Sequence, residues 1–441
     1  MSPRLFWTMC CIRMGFRLKE KKMNKYKTII QDILMGIEKG DFKRGQKLPS
    51  IRRLSEKYQC SKDTVQKAML ELKYQNAIYA VEKSGYYILE DKDFQEAMLD
   101  LDPADFQQLP YEDFRICLNE SLIGRENYLF NYYHQQEGLE DLIASSHQLL
   151  MDYDVYCRRD QLVITAGTQQ ALYILSKMDF GSKGKKILLE SPTYDRMQAL
   201  VEKQDLPFIS IERTFAGLDL AELERIFQTG QIAFFYTIPR LHNPLGTSYT
   251  LEEKKEIVRL AQTYQVYIVE DDYLADFDST RTVPFHYLDT ENRVIYLKSF
   301  TTTLFPALRI GCVVLPPSLV QAFLEEKSLI DYDTNLIMQK ALSLYIDNGM
   351  FARNTQHLKD LHFQQAEEMK KLLESANLSC PYQISREKLI LELQPAQLTA
   401  SLKHSSIPFE LVETDNQVYL ILAYGEKLEG QLNHIKEYME K

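Results

Sequence analysis

What this chain of 441 residues lacks narrows its identity first. Its cysteines, Cys10, Cys11, Cys60, Cys117, Cys157, Cys312 and Cys380, form no Cys-x-x-Cys pair and no zinc-ligand spacing. Neither a disulfide framework nor a metal site is therefore expected, and scattered free thiols suit a reducing cytoplasm. No long apolar run is present. The stretch from Leu5 to Phe16 is broken by Arg13, too short and too charged to span a bilayer. It also has no small-residue cleavage site, so no signal peptide and no membrane association are expected. Low-complexity spacers and internal repeats are missing too. Positive charge is in deficit, with a net −10 that excludes an all-over nucleic-acid coat.

What is there is enough for two or three domains, with 45% apolar and 11% aromatic residues to build cores. The charge is unevenly spread. Residues 23–91 carry 13 Lys+Arg against 9 Asp+Glu and residues 1–22 carry 6 against 1, which leaves −19 for residues 92–441. A small basic head on a large acidic body confines any nucleic-acid contact to the head. Residues 1–22 read as an extension ahead of a translation start at Met23, the alternative being a disordered basic arm.

In the head, residues 23–90, Ile29, Ile30, Ile33, Leu34 and Ile37 fall on one helix face. Ser50 caps a second helix running to about Tyr58, and Ser61 caps a third from Lys62 to Tyr74. Ile78–Val81 and Tyr86–Leu89, around a turn at Gly85, predict a β-hairpin. The order of motifs is more specific than the periodicity. Gly40, Gly45, Leu48, Pro49, Ser50, Arg52 and Leu54 are followed by Ser61, Thr64, Val65 and Ala68, then by Gly85. This resembles a GntR-type winged helix-turn-helix. The resemblance implies that Arg52 and Lys62 contact operator DNA, that Ser61 and Thr64 help at the start of the recognition helix, and that Gly85 lets the wing approach the minor groove. Lys62 stands where the family usually has arginine, which favours a phosphate contact over a bidentate guanine contact.

Residues 91–110, with Pro103 and Pro110, read as a linker. Beyond it, helical runs alternate with β-rich runs at Gln161–Thr165, Lys186–Glu190, Ile232–Thr237, Val266–Glu270, Val294–Leu297 and Ile310–Leu315. That alternation predicts an α/β body with a mainly parallel sheet, whose ligands sit beyond the carboxyl ends of the strands. Polar residues cluster at those ends: Gly167-Thr168-Gln169, Ser191-Pro192-Thr193-Tyr194, His242-Asn243-Pro244, Asp271-Asp272-Tyr273 and Ser299 to Arg309.

Five such stretches in this order resemble the body of fold-type I pyridoxal-phosphate enzymes, the class I and II aminotransferases. With the head in front, residues 23–441 are similar to the MocR subfamily of GntR regulators. The resemblance implies a large domain at 111–330 and a small C-terminal α+β domain at 331–441. It also implies cofactor contacts. Asp271 would pair with the pyridinium nitrogen, Asn243 and Tyr273 would bond the ring hydroxyl, and Tyr194 would stack on the ring. Thr168, Gln169, Ser299, Thr301 and Arg309 would hold the phosphate. His242 is either part of this site or a satisfied surface histidine.

One position breaks the pattern. The family's cofactor loop reads Ser-Phe-Ser-Lys, then three residues, then Pro-x-Leu-Arg-x-Gly. Here it runs Ser299-Phe300-Thr301-Thr302, then on to Pro306, Leu308, Arg309 and Gly311, so Thr302 stands where the cofactor-bearing lysine belongs. Threonine has no amine, and Lys298, four positions earlier, precedes the turn that would aim it. Near the C-terminus Ile421 replaces the family's carboxylate-gripping arginine. The expectation is a cytoplasmic, homodimeric, DNA-binding transcriptional regulator without transaminase chemistry. Its body would serve dimerisation and the non-covalent sensing of pyridoxal phosphate, a related vitamin B6 phosphate or an amino-acid-like effector. The alternative is an active aminotransferase using Lys298.

Overall fold

In the computed structural model, residues 25–42, 46–74, 77–81, 85–88, 108–123, 129, 135–181, 184–278, 282–378, 380–394, 409–414 and 416–439 are described. The N-terminal extension, Gly45 and nearly all of the expected linker lie outside them. The chain divides into two compact units, one ending at Phe106 and one starting at Gln107.

The first unit contains helices α1 (Lys25–Glu38), α2 (Ile51–Lys57) and α3 (Lys62–Tyr74) and the antiparallel hairpin β1 (Ile78–Val81) and β2 (Gly85–Ile88). Ile29 and Ile33 of α1 pack with Leu54, Val65, Met69, Leu72, Ile78 and Ile88 in one buried cluster. The Ser50 side chain accepts from the Arg53 amide at the start of α2. Ser61 does the same for Thr64 at the start of α3, at 3.2 Å. These caps fix where each helix begins, and the three residues between Tyr58 and Lys62 set the turn between them.

The second unit is organised by an eight-stranded sheet in the order β3-β10-β9-β8-β7-β4-β5-β6. The strands are β3 (Leu162–Thr165), β4 (Lys186–Ser191), β5 (Phe208–Thr214), β6 (Gly217–Leu218), β7 (Ile232–Thr237), β8 (Tyr267–Asp271), β9 (Val294–Ser299) and β10 (Gly311–Val314). The pairs β9-β8, β8-β7, β7-β4 and β4-β5 are parallel, while β10 runs antiparallel to both its neighbours. β7, β8 and β9 are buried along their whole length, because helices cover both faces, and that is why they read as unbroken apolar runs. Alternation assigns the faces. Phe234, Tyr236, Val269, Ile295 and Leu297 pack with α6 (Thr168–Lys177) and α7 (Asp195–Lys203) on one side. Phe235, Ile268 and Val294 meet α8 (Leu220–Gln228) and α9 (Leu251–Tyr264) on the other. Across β3 and β10, Ile164, Tyr296, Cys312 and Val314 join α4 (Gln108–Leu122) and α5 (Glu140–Met151).

Helix α10 (Val320–Ser328) closes the first face, and α11 (Leu336–Asp347) packs through Leu336, Ala341 and Leu342 into the cluster under β3. The long helix α12 (Met350–Ala376) then leads to a four-stranded antiparallel sheet ordered β11-β12-β14-β13. These strands are β11 (Tyr382–Ser385), β12 (Lys388–Leu393), β13 (Glu410–Glu413) and β14 (Val418–Ala423), backed by α13 (Leu428–Met439). The body is thus an α/β large domain followed by a small α+β layer. Several strand ends differ by a residue or two from the sequence expectation, and two of these differences bear on the site. β8 extends through Asp271 and β9 through Lys298 and Ser299, so Asp271 and Lys298 are strand residues with buried partners, Tyr236 and Asp276.

Candidate functional site

A cavity of about 400 Å³ opens at the carboxyl ends of β3, β8 and β9. It is lined by Gly167, Thr168, Gln169, Tyr194, Arg196, Ile238, Asn243, Asp271, Tyr273, Ser299, Thr301, Thr302 and Arg309. All nine residues that the family resemblance implied as cofactor contacts line this cavity, from five separate stretches. Arg196, in the first turn of α7, was not foreseen, and its only sequence signal is its place two residues after Tyr194.

At one end the cavity is built to take an anion. Gly167 has φ +86 and precedes α6 with no side-chain cap, so the first amides of α6 are left for a ligand. A Cβ at Gly167 would sit 3.0 Å from Arg309 Nη2, which is how closely the guanidinium approaches the helix start. Arg309 is held in the left-handed region at φ +49, and among the described residues no carboxylate pairs with it. Ser299 and Thr301 add hydroxyls from the loop, with the Thr301 amide donating to Ser299 Oγ at 3.3 Å.

At the other end stands Asp271, 2% exposed. Its Oδ2 accepts from the Tyr236 hydroxyl at 2.9 Å, whereas Oδ1 is buried without a partner. Burial pushes the carboxyl up to about 7, the Tyr236 hydroxyl and the Tyr273 backbone amide oppose the rise, and Asp272 adds to it. A buried acceptor facing a cavity with no donor is what a protonated ring nitrogen would satisfy. Tyr194 is half-buried at the mouth, its hydroxyl 3.4 Å from Gln169 Nε2.

Three buried charge networks hold these walls. Glu190 gathers Arg213 at 2.5 Å, Thr237 at 2.8 Å and His242 Nε2 at 3.1 Å. These partners hold its carboxyl far below the usual range despite burial, while burial lowers His242. His242 is therefore not a surface histidine but a core one, and it fixes the turn that presents Asn243. The His242 amide donates to Thr247 O at 2.8 Å and the Gly246 amide to His242 O at 2.5 Å. Second, Arg240 grips Asp272 from both sides of its guanidinium, through Nε at 2.9 Å and through Nη2, and Tyr296 donates to the same carboxylate at 2.8 Å.

The third network settles where Lys298 points. Residues alternate along β9, so Lys298 faces the side of Tyr296, opposite Leu297 and Ser299. Its ammonium is fully buried, 2.6 Å from Asp276 Oδ2 and 4.9 Å from the centre of the Tyr153 ring. Tyr153 and Thr303 also donate to Asp276. Among the described residues no lysine lines the cavity. Thr302 does, and its hydroxyl donates to the Tyr273 carbonyl at 3.0 Å. Ile421, on β14, is 3% exposed and packs against Leu245, Ile390 and Tyr419 in a buried apolar cluster.

In the head, Arg52 and Lys62 are exposed. Among the described residues Arg52 pairs with Glu56, at 3.2 Å, with both side chains mostly in solvent, so its guanidinium is weakly held. Ser61 and Thr64 spend their hydroxyls on each other, 2.9 Å apart, at the start of α3. Gly85 has φ +130, and a Cβ there would come within 3.3 Å of the Lys47 side chain, a residue of the wing side that the sequence reading did not single out.

The site and the fold define an aminotransferase-like body carried behind a winged-helix head, and comparison with known proteins agrees. The family of class I and II aminotransferases matches residues 101–402, and the gntR family of bacterial regulatory proteins matches residues 25–88. An uncharacterized HTH-type transcriptional regulator of Bacillus subtilis, YcxD, is 41% identical over 345 residues, 77% of this chain and 78% of that protein. The probable rhizopine catabolism regulatory protein MocR of Rhizobium meliloti is 30% identical over 52% of this chain and 46% of its own. Among solved structures, Pyrococcus horikoshii kynurenine aminotransferase superposes with a TM-score of 0.67 at 21% identity, over 77% of this chain and 88% of that one. Thermus thermophilus LysN, an alpha-aminoadipate aminotransferase, gives 0.64 at 22%, over 77% and 90%. The chain belongs to the class I and II aminotransferase family, in its MocR-type branch with a GntR head. It is a DNA-binding transcriptional regulator with an aminotransferase-like domain. Among the described residues no helix is long and apolar enough to cross a membrane.

Proposed function

We propose that the head binds operator DNA as part of a homodimer, and that the body assembles this dimer and senses a vitamin B6 phosphate held without a covalent bond. The observation that carries the reading is the cavity itself. Arg309 and the α6 amides suit a phosphate, the orphaned Asp271 Oδ1 suits a pyridinium proton, and among the described residues no lysine lines the walls between them. The residues present therefore fit pyridoxal phosphate, apart from its covalent anchor. Bound to a protein, that group supplies an electron-accepting ring. Here Asp271 would hold the ring proton, Asn243 and Tyr273 would orient the ring hydroxyl, Tyr194 would cover one face and Arg309 would neutralise the phosphate.

A body that dimerises gives the winged helix two half-site readers at a fixed spacing. The adjacent Leu329, Ile330 and Tyr332, all exposed, supply an apolar patch suited to such a contact. Arg52, Lys62 and Gly85 would touch the DNA while Ser61 and Thr64 keep the recognition helix in register.

The alternative, transamination through Lys298, conflicts with geometry. That ammonium would have to leave a buried ion pair and cross to the opposite face of β9, leaving Asp276 uncompensated. Borohydride reduction of the protein with pyridoxal phosphate, followed by mass spectrometry, should leave residue 298 unmodified. The spectrum with added pyridoxal phosphate should show free rather than lysine-linked ligand. A dissociation constant weaker than millimolar would refute the sensor and leave a dimerisation scaffold. In a gel shift Arg52→Ala should abolish operator retention without unfolding either unit, since the Arg52–Glu56 pair contributes less than about 0.5 kcal/mol.

A further inference from the structure

Thr302 is the point at which this cavity departs from a transaminase site, and its hydrogen bond determines what it offers a ligand. The hydroxyl proton is committed to the Tyr273 carbonyl at 3.0 Å. What remains on Thr302 Oγ1 toward the cavity is lone pairs, so Thr302 accepts hydrogen bonds there and does not donate them. The charged side chains of the lining are Asp271 at one end and Arg309 and Arg196 elsewhere, and the nearby ammonium of Lys298 is consumed by Asp276 behind the sheet. In a lysine-bearing relative the same wall would carry a nitrogen. Here that nitrogen has to come from the ligand.

From this we propose that the cavity selects the amine form of the vitamin B6 phosphates, pyridoxamine 5′-phosphate, over the aldehyde, with Thr302 as the specificity-determining residue. The proposal rests on the reading of the cavity as a B6-phosphate site given above. An ammonium at the ring's 4′ carbon has protons for Thr302 Oγ1. An aldehyde oxygen there is an acceptor set against an acceptor, and it has no amine on the wall to condense with. A charge-assisted hydrogen bond of this kind corresponds to about tenfold in affinity. The body would then report the amine form of the B6-phosphate pool.

The test is calorimetric titration of the full chain with pyridoxamine 5′-phosphate, pyridoxal 5′-phosphate and 4-deoxypyridoxine 5′-phosphate, the last with no polar group at the 4′ position. The expected order is pyridoxamine 5′-phosphate about tenfold tighter than the other two, with those two alike. Thr302→Val should erase the preference while leaving the deoxy compound's affinity in place, and Thr302→Ser should keep the preference. Equal binding of all three by the wild type would overturn the selectivity and leave the B6-phosphate reading standing. Binding of none would overturn that reading and the selectivity with it. Preservation of the preference in Thr302→Val would remove Thr302 from the account. As an independent check on position, Thr302→Lys should capture pyridoxal phosphate in a borohydride-reducible bond at residue 302, and failure of a folded variant to do so would refute the placement.

Discussion

Replacing Asp271 by asparagine should make the unliganded protein more stable and its ligand binding weaker, an opposition that a merely structural aspartate would not show. Asp271 is buried, with one oxygen bonded to Tyr236 and the other unpartnered. Its carboxyl titrates near 7 in the fold, against an ordinary 3.8. Because the folded value is the higher one, the folded state holds the proton more tightly than the unfolded chain does. The corresponding stability is fully present below pH 3.8 and is lost as the pH rises through 7. The gap corresponds to about 4 kcal/mol at full titration. Asparagine keeps the shape and carries no charge to bury. At pH 8 the substitution should therefore raise stability by up to about 4 kcal/mol, or about 6 °C in the body's melting temperature given its size. The gain should shrink steadily between pH 7 and pH 4. Melting curves of both proteins across that range, without ligand, measure it directly. Loss of stability at pH 8, or a gain that does not change with pH, would refute the argument that Asp271 is an uncompensated buried acid kept for a ligand's proton. In the same variant, affinity for a vitamin B6 phosphate should fall by tenfold or more, since an amide cannot form the ion pair.

Two further outcomes follow from other parts of the site. Lys298→Met should cost about 3 kcal/mol in urea denaturation of the body, because Asp276 would keep its burial and lose its counter-ion; an unchanged midpoint would mean that the pair is not formed in solution. Gly167→Ala places a Cβ 3.0 Å from Arg309 Nη2 at φ +86, so it should lower B6-phosphate affinity about tenfold and cost about 1–3 kcal/mol of stability.

The sequence disclosed the site better than it disclosed the supports of the site. Strand ends can be read because a strand buried on both faces is an apolar run with a polar terminus, and five such termini place five candidate ligand contacts. The same logic fails at β9. Lys298 looks like the residue that ends the strand, yet it lies within it, because Asp276 makes its burial tolerable. Nothing local in the sequence connects those two residues. His242 was open between site and surface for the same reason, since its partner Glu190 sits on another strand. β5 was not foreseen because Phe208–Thr214 alternates apolar and polar residues near the sheet edge instead of running apolar. Tyr236 is an ordinary core aromatic in the sequence, and only the fold brings its hydroxyl to Asp271.

The reversed strand β10 has a consequence for how such a protein could arise. Gly311 lies opposite both Thr165 and Ser299, so the loop from residue 300 to 310 leaves and rejoins the sheet at a single place. Its shape is set by those two crossings and by Asp276 below, and Thr302 takes no part in either. The residue at the centre of the chemistry thus joins no strand pairing and no buried ion pair, and its hydroxyl bonds the Tyr273 carbonyl: an ancestor could exchange it in one step and keep the strands, helices and ion pairs. A reaction could vanish from this architecture while the binding surface built around it stayed intact and open to a new use.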